Sequence, residues 1–337
     1  MALLEFNDRG IYCPQADVYI DPWKPVKRAL ITHGHGDHAR AGSDHYLCTR
    51  SAHPVIRHRL GPIHIETLDY GETRLINGVR FSFHPAGHIV GSAQIRIEFQ
   101  GEIWVASGDY KLENDGLAEP FVPIPCHTFI TECTFGLPRF KWQPQAEIFT
   151  DINAWWVQNR VAGKISILSG YALGKAQRLL HGLNPEIGAI FAQGAVENVN
   201  EVLRNQGIRL PKTIRLAQQT KHKQLTGGLV ITAPSALGSP LIRRIAPASV
   251  GVASGWMAES VNLQAYQADR GFALSDHADW DGLNLAIAAT GAERVIATHG
   301  YTAQFSQWLR EQGYDAHAEK TLFEGEILET DLELEKE

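Results

Sequence analysis

Residues 31–40 read ITHGHGDHAR, and the reading of this segment decides the fold. His33, His35, Asp37 and His38 fall within six residues, separated by Gly34 and Gly36. The preceding RALIT is an apolar, strand-like run, and on an extended chain residues at i and i+2 face the same side. If the chain stays extended, His33, His35 and Asp37 share one face while His38 turns elsewhere. The glycines remove side chains between the donors and let the backbone bend tightly. Imidazole and carboxylate are the ligands zinc prefers, with manganese and iron as alternatives, and such a loop can serve two adjacent metals.

Further donors stand at the ends of predicted strands, where a loop reaches an active site. FHPAGHIVGS supplies His88, WVASGDY supplies Asp109 and VIATHGY supplies His299. A lone strand-end histidine is usually structural; four such signals in one order weigh far more. His45, His53, His84 and His127 are read as structural or surface residues.

The bulk composition is that of a soluble globular protein: 337 residues, 44% hydrophobic and 20% charged. No apolar run approaches the roughly 18–20 residues that span a bilayer. The N-terminal stretch lacks the long apolar core of a secretory signal. Cys13, Cys48, Cys126 and Cys133 form no CxxC pair and suit reduced thiols, so a cytoplasmic location is expected. The net charge of −6 argues against non-specific wrapping of nucleic acid but says little about a local groove. RNQGIRLPKTIRLAQQTKHK, from Arg204 to Lys223, holds six basic residues and no acid. It reads as a solvated edge or as a phosphate-tracking surface. FEGEILETDLELEKE is acidic and reads as a strand followed by a solvated tail.

The first 140 or so residues are short β-rich runs ended by Gly, Pro or Asp. AEIFTDINAWWVQNRVAG then reads as an amphipathic helix, KISILSG as a buried strand and ALGKAQRLLHGLN as a helix. EIGAIFA and GGLVITAP continue the alternation, which favours a mainly parallel sheet with covering helices. A helix–strand–helix run follows from DWDGLNLAIAATGAERVIATHG onward.

The series HGHGDH, AGHIVGS, SGDY and a late THG resembles the metallo-β-lactamase-fold hydrolases. FITECTFG, LSGYALGKAQRLL, ASGWM and LSDHADW narrow the resemblance to the β-CASP nuclease branch, and the wording is most similar to bacterial ligase-associated DNA exonucleases. The resemblance covers nearly the whole chain. It implies an α/β fold: a metallo-β-lactamase αββα sandwich, residues 1–145 and 268–337, with an α/β β-CASP domain inserted at 146–267.

The resemblance also implies roles. One metal would be held by His33, His35 and His88, the other by Asp37, His38 and His299, with Asp109 bridging. The two divalent ions would be zinc, with manganese as the alternative. His277 would act at the scissile phosphate, with Glu132 orienting it; Asp37 counts with these two as catalytic besides being a ligand. Asp21, in YIDPW, would orient a ligand histidine. Lys175, at a predicted helix start, and Ser254 and Gly255, in ASGWM, would bind substrate phosphate.

The implied activity is hydrolysis of nucleic acid phosphodiesters, as a single-strand DNA exonuclease working from the 5′ end in repair. A DNA ligase or helicase of the same pathway is the implied protein partner, and no membrane is involved. The alternatives are an RNA nuclease of ribonuclease J or 3′-end-processing type and a non-catalytic β-CASP scaffold. Thioester or lactone hydrolysis is disfavoured by SDHADW and the inserted domain.

Overall fold

Apolar residues recur on one face of the early strands, as in Val79, Phe81 and Phe83, and that face needs a partner sheet to cover it. The computed structural model describes residues 2–259, 262–265 and 267–323. They divide into two compact units, one running to Lys141 and resuming at His277, the other from Trp142 to Asp276.

The first unit opens with a sheet in simple chain order: β1 (Glu5–Phe6), β2 (Ile11–Cys13), β3 (Val18–Ile20), β4 (Arg28–Leu30), β5 (His45–Thr49) and β6 (Ile65–Leu68). Its second sheet takes β7 (Thr73–Ile76), β8 (Val79–Pro85), β9 (Ala93–Phe99), β10 (Glu102–Ala106) and β11 (Thr128–Cys133), then β18 (Arg294–Gly300) and β19 (Asp315–Ala318) from beyond the second unit. β10, β11, β18 and β19 are mutually parallel. β8 is antiparallel to β9, and β9 to β10, so β8 runs in the same sense as β10.

Leu30 and Leu47 of the first sheet meet Phe81, Phe83, Trp104 and Ile130 of the second in one buried core. The alternate residues point outward. Ala29, Tyr46 and Cys48 pack with Ala52 and Ile56 of the helix His53–Leu60. Val105, Phe129 and Val295 pack with Leu283 and Ile287 of the helix Trp280–Thr290 and with Phe305 and Leu309 of the helix Thr302–Glu311. The layers are therefore helix, sheet, sheet, helix, the αββα sandwich that the resemblance implies. Local signals place the helix Trp280–Thr290: the Asp279 side chain accepts from the Gly282 N–H at 2.8 Å, and Gly291 ends it in the left-handed region at φ 64°.

The second unit is an α/β layer of its own. β12 (Ile165–Ser169), β13 (Ile190–Ala192), β14 (Ile214–Arg215), β15 (Leu229–Thr232), β16 (Ala248–Ala253) and β17 (Arg270–Phe272) form one sheet in the order β14-β13-β15-β12-β16-β17. Every pairing in it is parallel. Leu168, Leu229 and Ile231 face Trp156, Leu179 and Val196 of the three longer helices, and Ile167, Phe191 and Val230 face Leu225 and Ile242. Burial on both faces explains why these strands read as continuous apolar runs.

The division at Asp276/His277 lies beyond the expected 267/268, and the reason is pairing: β17 adds to β16, which keeps residues through Asp276 with the second unit. The other division, Lys141/Trp142, lies just before the expected 145/146. The acidic strand and tail expected after Phe323 fall outside the described residues.

Phe81 is fully buried between the two sheets. Phe81→Ala is expected to lower the stability of the first unit by about 3–5 kcal/mol. Urea unfolding followed by tryptophan fluorescence checks this through a shifted midpoint.

Candidate metal centre

Five strands, β4 of one sheet and the like-directed β8, β10, β11 and β18 of the other, deliver the polar cluster at their C-terminal ends. The loop after β4 brings His33 to His38, the turn after β8 brings His88, and the turn after β10 brings Asp109. Glu132 and His299 lie near the ends of β11 and β18. Gly300 follows His299 at φ 92°, where a Cβ would overlap the Cys133 carbonyl, so the chain leaves β18 by a route only glycine permits.

The ligand loop does not stay extended. Ala39 N–H donates to the His35 carbonyl at 2.9 Å, a turn that swings His38 back beside His33, with ring centroids 4.2 Å apart. His38 therefore faces the same cluster as the others instead of turning elsewhere.

Two donor sets meet at Asp109. In the first, His33 Nε2 is 3.1 Å and His88 Nε2 3.0 Å from His35 Nδ1. The same two Nε2 atoms lie 3.5 and 3.7 Å from Asp109 Oδ2. In the second, His38 Nε2 is 3.5 Å from Asp37 Oδ2 and 3.5 Å from Asp109 Oδ1, and His299 Nε2 is 3.2 Å from Asp109 Oδ1. One carboxylate thus turns one oxygen to each set.

The tautomers are fixed from behind. Asp21 accepts from Thr32 N–H at 2.8 Å, from Thr32 Oγ1 at 2.5 Å and from His38 Nδ1 at 2.8 Å. Its Oδ2 takes the Thr32 hydroxyl proton, so Thr32 Oγ1 can accept from His33 Nδ1 at 3.1 Å. With both Nδ1–H groups committed, the Nε2 lone pairs of His33 and His38 point into the cluster. Arg59 Nη1 braces the loop by donating to the Gly34 carbonyl at 2.8 Å. Ser92 Oγ accepts from the backbone N–H groups of His88 and Ile89.

The electrostatics call for positive charge. Asp109 is buried, which opposes its ionisation, yet the His38 and His299 imidazoles hold its carboxyl well below the usual range. Burial also opposes protonation of His38, but Asp109, Asp37 and Asp21 raise it well above an ordinary histidine. His33 is pushed well below its ordinary value by burial and by His38. His38 Nε2, Asp109 Oδ1 and both ring nitrogens of His299 are buried without a hydrogen bond among the described residues. Buried polar atoms without partners are costly, and a cation among these lone pairs satisfies them. The residues present therefore fit a bound metal cation, most directly at His33, His35, His88 and Asp109, whose donor atoms lie within 4.8 Å of one another.

His277 lies against this cluster, its ring centroid 4.7 Å from that of His88. Its Nδ1 bonds Glu132 Oε2 at 2.8 Å. Glu132 also accepts from Tyr110 N–H at 2.7 Å and from Thr134 Oγ1 at 2.6 Å. Atoms of Asp109, Glu132 and His277 lie within 4.8 Å of one another, so this trio is a further possible donor group. Both Glu132 oxygens are already engaged, which suits an orienting carboxylate better than a ligand.

The expected phosphate residues belong to the second unit. Lys175 is fully buried; its Nζ donates to the Leu274 carbonyl at 2.9 Å and pairs with Asp276 Oδ2 at 3.1 Å. Its charge is matched inside the second unit, where Arg178 reaches the same carboxylate at 3.1 Å. Ser254 is buried, and its Oγ accepts from Trp256 N–H at 3.2 Å, capping the single turn that begins at Gly255. In the basic run, Arg204 pairs with Glu197 and Arg215 with Glu201, while Arg209, Lys212, Lys221 and Lys223 are exposed. Thr32, Arg59, Ser92 and Thr134 receive no role from the sequence; Thr32 precedes the first histidine, and Ser92 and Thr134 stand inside AGHIVGS and FITECTFG, while Arg59 has no local signal.

No protein-family model matches the chain. It is 33% identical over 313 residues to a probable DNA ligase of Opitutus terrae, covering 92% of this chain and 30% of that protein. It is 34% identical over 119 residues, 34% of this chain, to endoribonuclease ysh-1 of Neurospora crassa and to cleavage and polyadenylation specificity factor 73 of Drosophila melanogaster. The chain spans 14% and 17% of the length of those two relatives. Among solved structures, a protein of unknown function from Enterococcus faecalis V583 shares the fold, with a TM-score of 0.59, 12% identity and coverage of 88% of this chain and 80% of that one.

Asp21→Ala strands three buried donors, each worth about 1–3 kcal/mol when left unpaired. The variant is expected to unfold at markedly lower urea concentration than wild type, with Asp21→Asn losing less because one acceptor oxygen remains.

Proposed function

We propose that the chain is a metal-dependent nuclease of the β-CASP type, acting on single-stranded DNA from the 5′ end in a repair setting. The observation that carries the reading is the convergence of two His/Asp donor sets on the two oxygens of the buried Asp109. His33, His35 and His88 would hold one ion and Asp37, His38 and His299 the other, with Asp109 between them. Divalent ions supply Lewis-acid polarisation of a phosphodiester and lower the pKa of water; zinc suits the imidazole-rich donor set, with manganese as the alternative.

The chain's own groups do the rest. Asp21 and Thr32 hold His38 and His33 in the tautomers that turn Nε2 inward. Glu132 accepts from His277 Nδ1, which leaves His277 Nε2 as the atom that carries a proton to the leaving oxygen. The Glu132 carboxylate stabilises the imidazolium when His277 is protonated.

DNA is favoured over RNA because the similarity that runs through 92% of this chain is to a protein named a probable DNA ligase. That relative also motivates a ligase as partner in the same pathway. The second reading, an RNA nuclease, is supported by the relatives named as an endoribonuclease and a polyadenylation specificity factor, over a third of the chain. Exposed Arg209, Lys212, Lys221 and Lys223 are available to track a phosphate backbone. With Lys175 buried, the choice of the 5′ end rests on the likeness of the sequence motifs.

Matched end-labelled DNA and RNA single strands, with a circular DNA strand beside them, test the reading. The linear DNA labelled at its 5′ end should release short labelled products at once, with the circle resistant. Rapid cutting of the circle, or of RNA alone, would overturn the corresponding part.

Metal analysis of the purified protein is expected to find about two divalent ions per chain, the stoichiometry of a two-metal site. His35→Ala should lose metal and cleavage together.

His277→Ala is expected to keep both ions while cleaving about 10²–10⁴-fold more slowly, the usual scale of acid–base help. Glu132→Gln should show a smaller loss of the same kind. Loss of an ion from His277→Ala would make it a ligand instead.

A further inference from the structure

His299 is the odd member of the cluster. A metal-binding imidazole ordinarily donates its second ring N–H to a carboxylate, carbonyl or water that sets its orientation. His38 has Asp21 and His33 has Thr32 for this purpose. Neither ring nitrogen of the buried His299 has a hydrogen-bond partner among the described residues. Its Nε2 stands 3.2 Å from Asp109 Oδ1, and the faces of its ring are open to packing by a neighbouring side chain.

The candidate is an aromatic ring from beyond β19, the last described strand. Phe323 stacks on His38, with ring centroids 4.3 Å apart and planes within 5° of parallel. It meets His299 edge-on, at 5.6 Å and 76°. A third contact, at 5.7 Å and 81°, rests it on Trp23. His38 comes from the loop after β4 of one sheet and His299 from β18 of the other, so a single ring touches one ligand candidate from each. Phe323 also closes a small cavity bounded by Ile20, Asp21, Thr32, His38 and His299. Aromatic pairs in stacked and edge-to-face geometry contribute about 0.5–1.5 kcal/mol beyond simple burial.

The segment is fastened by one guanidinium. Arg40 Nε donates to the Asp37 carbonyl at 3.1 Å, and its Nη2 donates to the Leu322 carbonyl at 2.9 Å. The same side chain thus joins the backbone of the ligand loop to the residue before Phe323. Tyr46 holds the base of that link by donating from its hydroxyl to the Arg40 carbonyl at 2.9 Å.

We propose that Phe323 is a positioning residue of the second donor set: its ring is the wall that fixes the planes of His38 and His299, and Arg40 locks it in place. The inference rests on the two-cation reading above. It assigns to the segment after β19 a part in holding one ion, because the two ligand candidates that Phe323 touches, His38 and His299, both belong to the second set.

The test is a chelator challenge on the full chain loaded with zinc, following release with a chromogenic zinc indicator. Wild type should release its two ions in two phases. Phe323→Ala is expected to accelerate one phase about tenfold, the low end of what outer partners of ligand histidines contribute, and to leave the other unchanged. Phe323→Tyr, which keeps the ring, should restore the wild-type trace, and Arg40→Ala should quicken the same phase. Should Phe323→Ala fail to fold, Phe323→Leu keeps apolar bulk without a flat ring and is expected to release one ion faster in the same way. Unchanged release from the ring-less variants, or equal acceleration in Phe323→Tyr, would overturn the proposal while leaving the two-cation reading intact. A wild-type chain that holds fewer than two ions would overturn that reading itself.

Discussion

The carboxylate of Asp109 is the constraint on which the first unit depends. It is buried and flanked by four imidazoles at 3.2–3.7 Å. A buried carboxylate is expensive unless its charge is met, and removing its partners costs several kcal/mol. The architecture resolves this by aiming strand ends from two sheets at one point. β4 sends its loop from one sheet while β8, β10 and β18 arrive from the other, and the shared apolar core between the sheets holds those ends in register.

Around that point lies a layer of residues whose work is to remove freedom. Asp21 ties Thr32 and His38 together, Arg59 holds the carbonyls of Gly34 and Ala39, and Ser92 gathers the backbone beside His88. At Gly36 a Cβ would come within 3.2 Å of the Arg59 guanidinium.

The sequence makes the strand ends legible. Short β-rich runs followed by Gly-containing turns locate His88, Asp109 and His299 at the same kind of position, whereas the layer order comes only with the motif resemblance. The second unit's parallel sheet is visible in its continuous apolar strands. What stays hidden depends on contacts between distant segments. Lys175 looks like a free ammonium at a helix start until Asp276 folds against it, a hundred residues downstream. The return of His38 depends on a turn that spacing alone does not reveal, since an extended loop would point it away. Phe323 carries no motif at all, and only the closing of the chain after β19 puts its ring on His38.

The insertion has a consequence for how the protein is made. β11 ends at Cys133, but its parallel partner β18 begins at Arg294, on the far side of the entire second unit. At translation rates of about 5–20 residues per second, roughly 8–30 s separate the appearance of the two strands. Through that interval the nascent sheet presents β11 as an open edge, the kind of surface that recruits stray strands. The second unit can meanwhile complete its own parallel sheet as a finished guest in an unfinished host. His299 reaches the ribosome exit only after that, so the earlier donors must wait, assembled but incomplete, for the last of them to emerge.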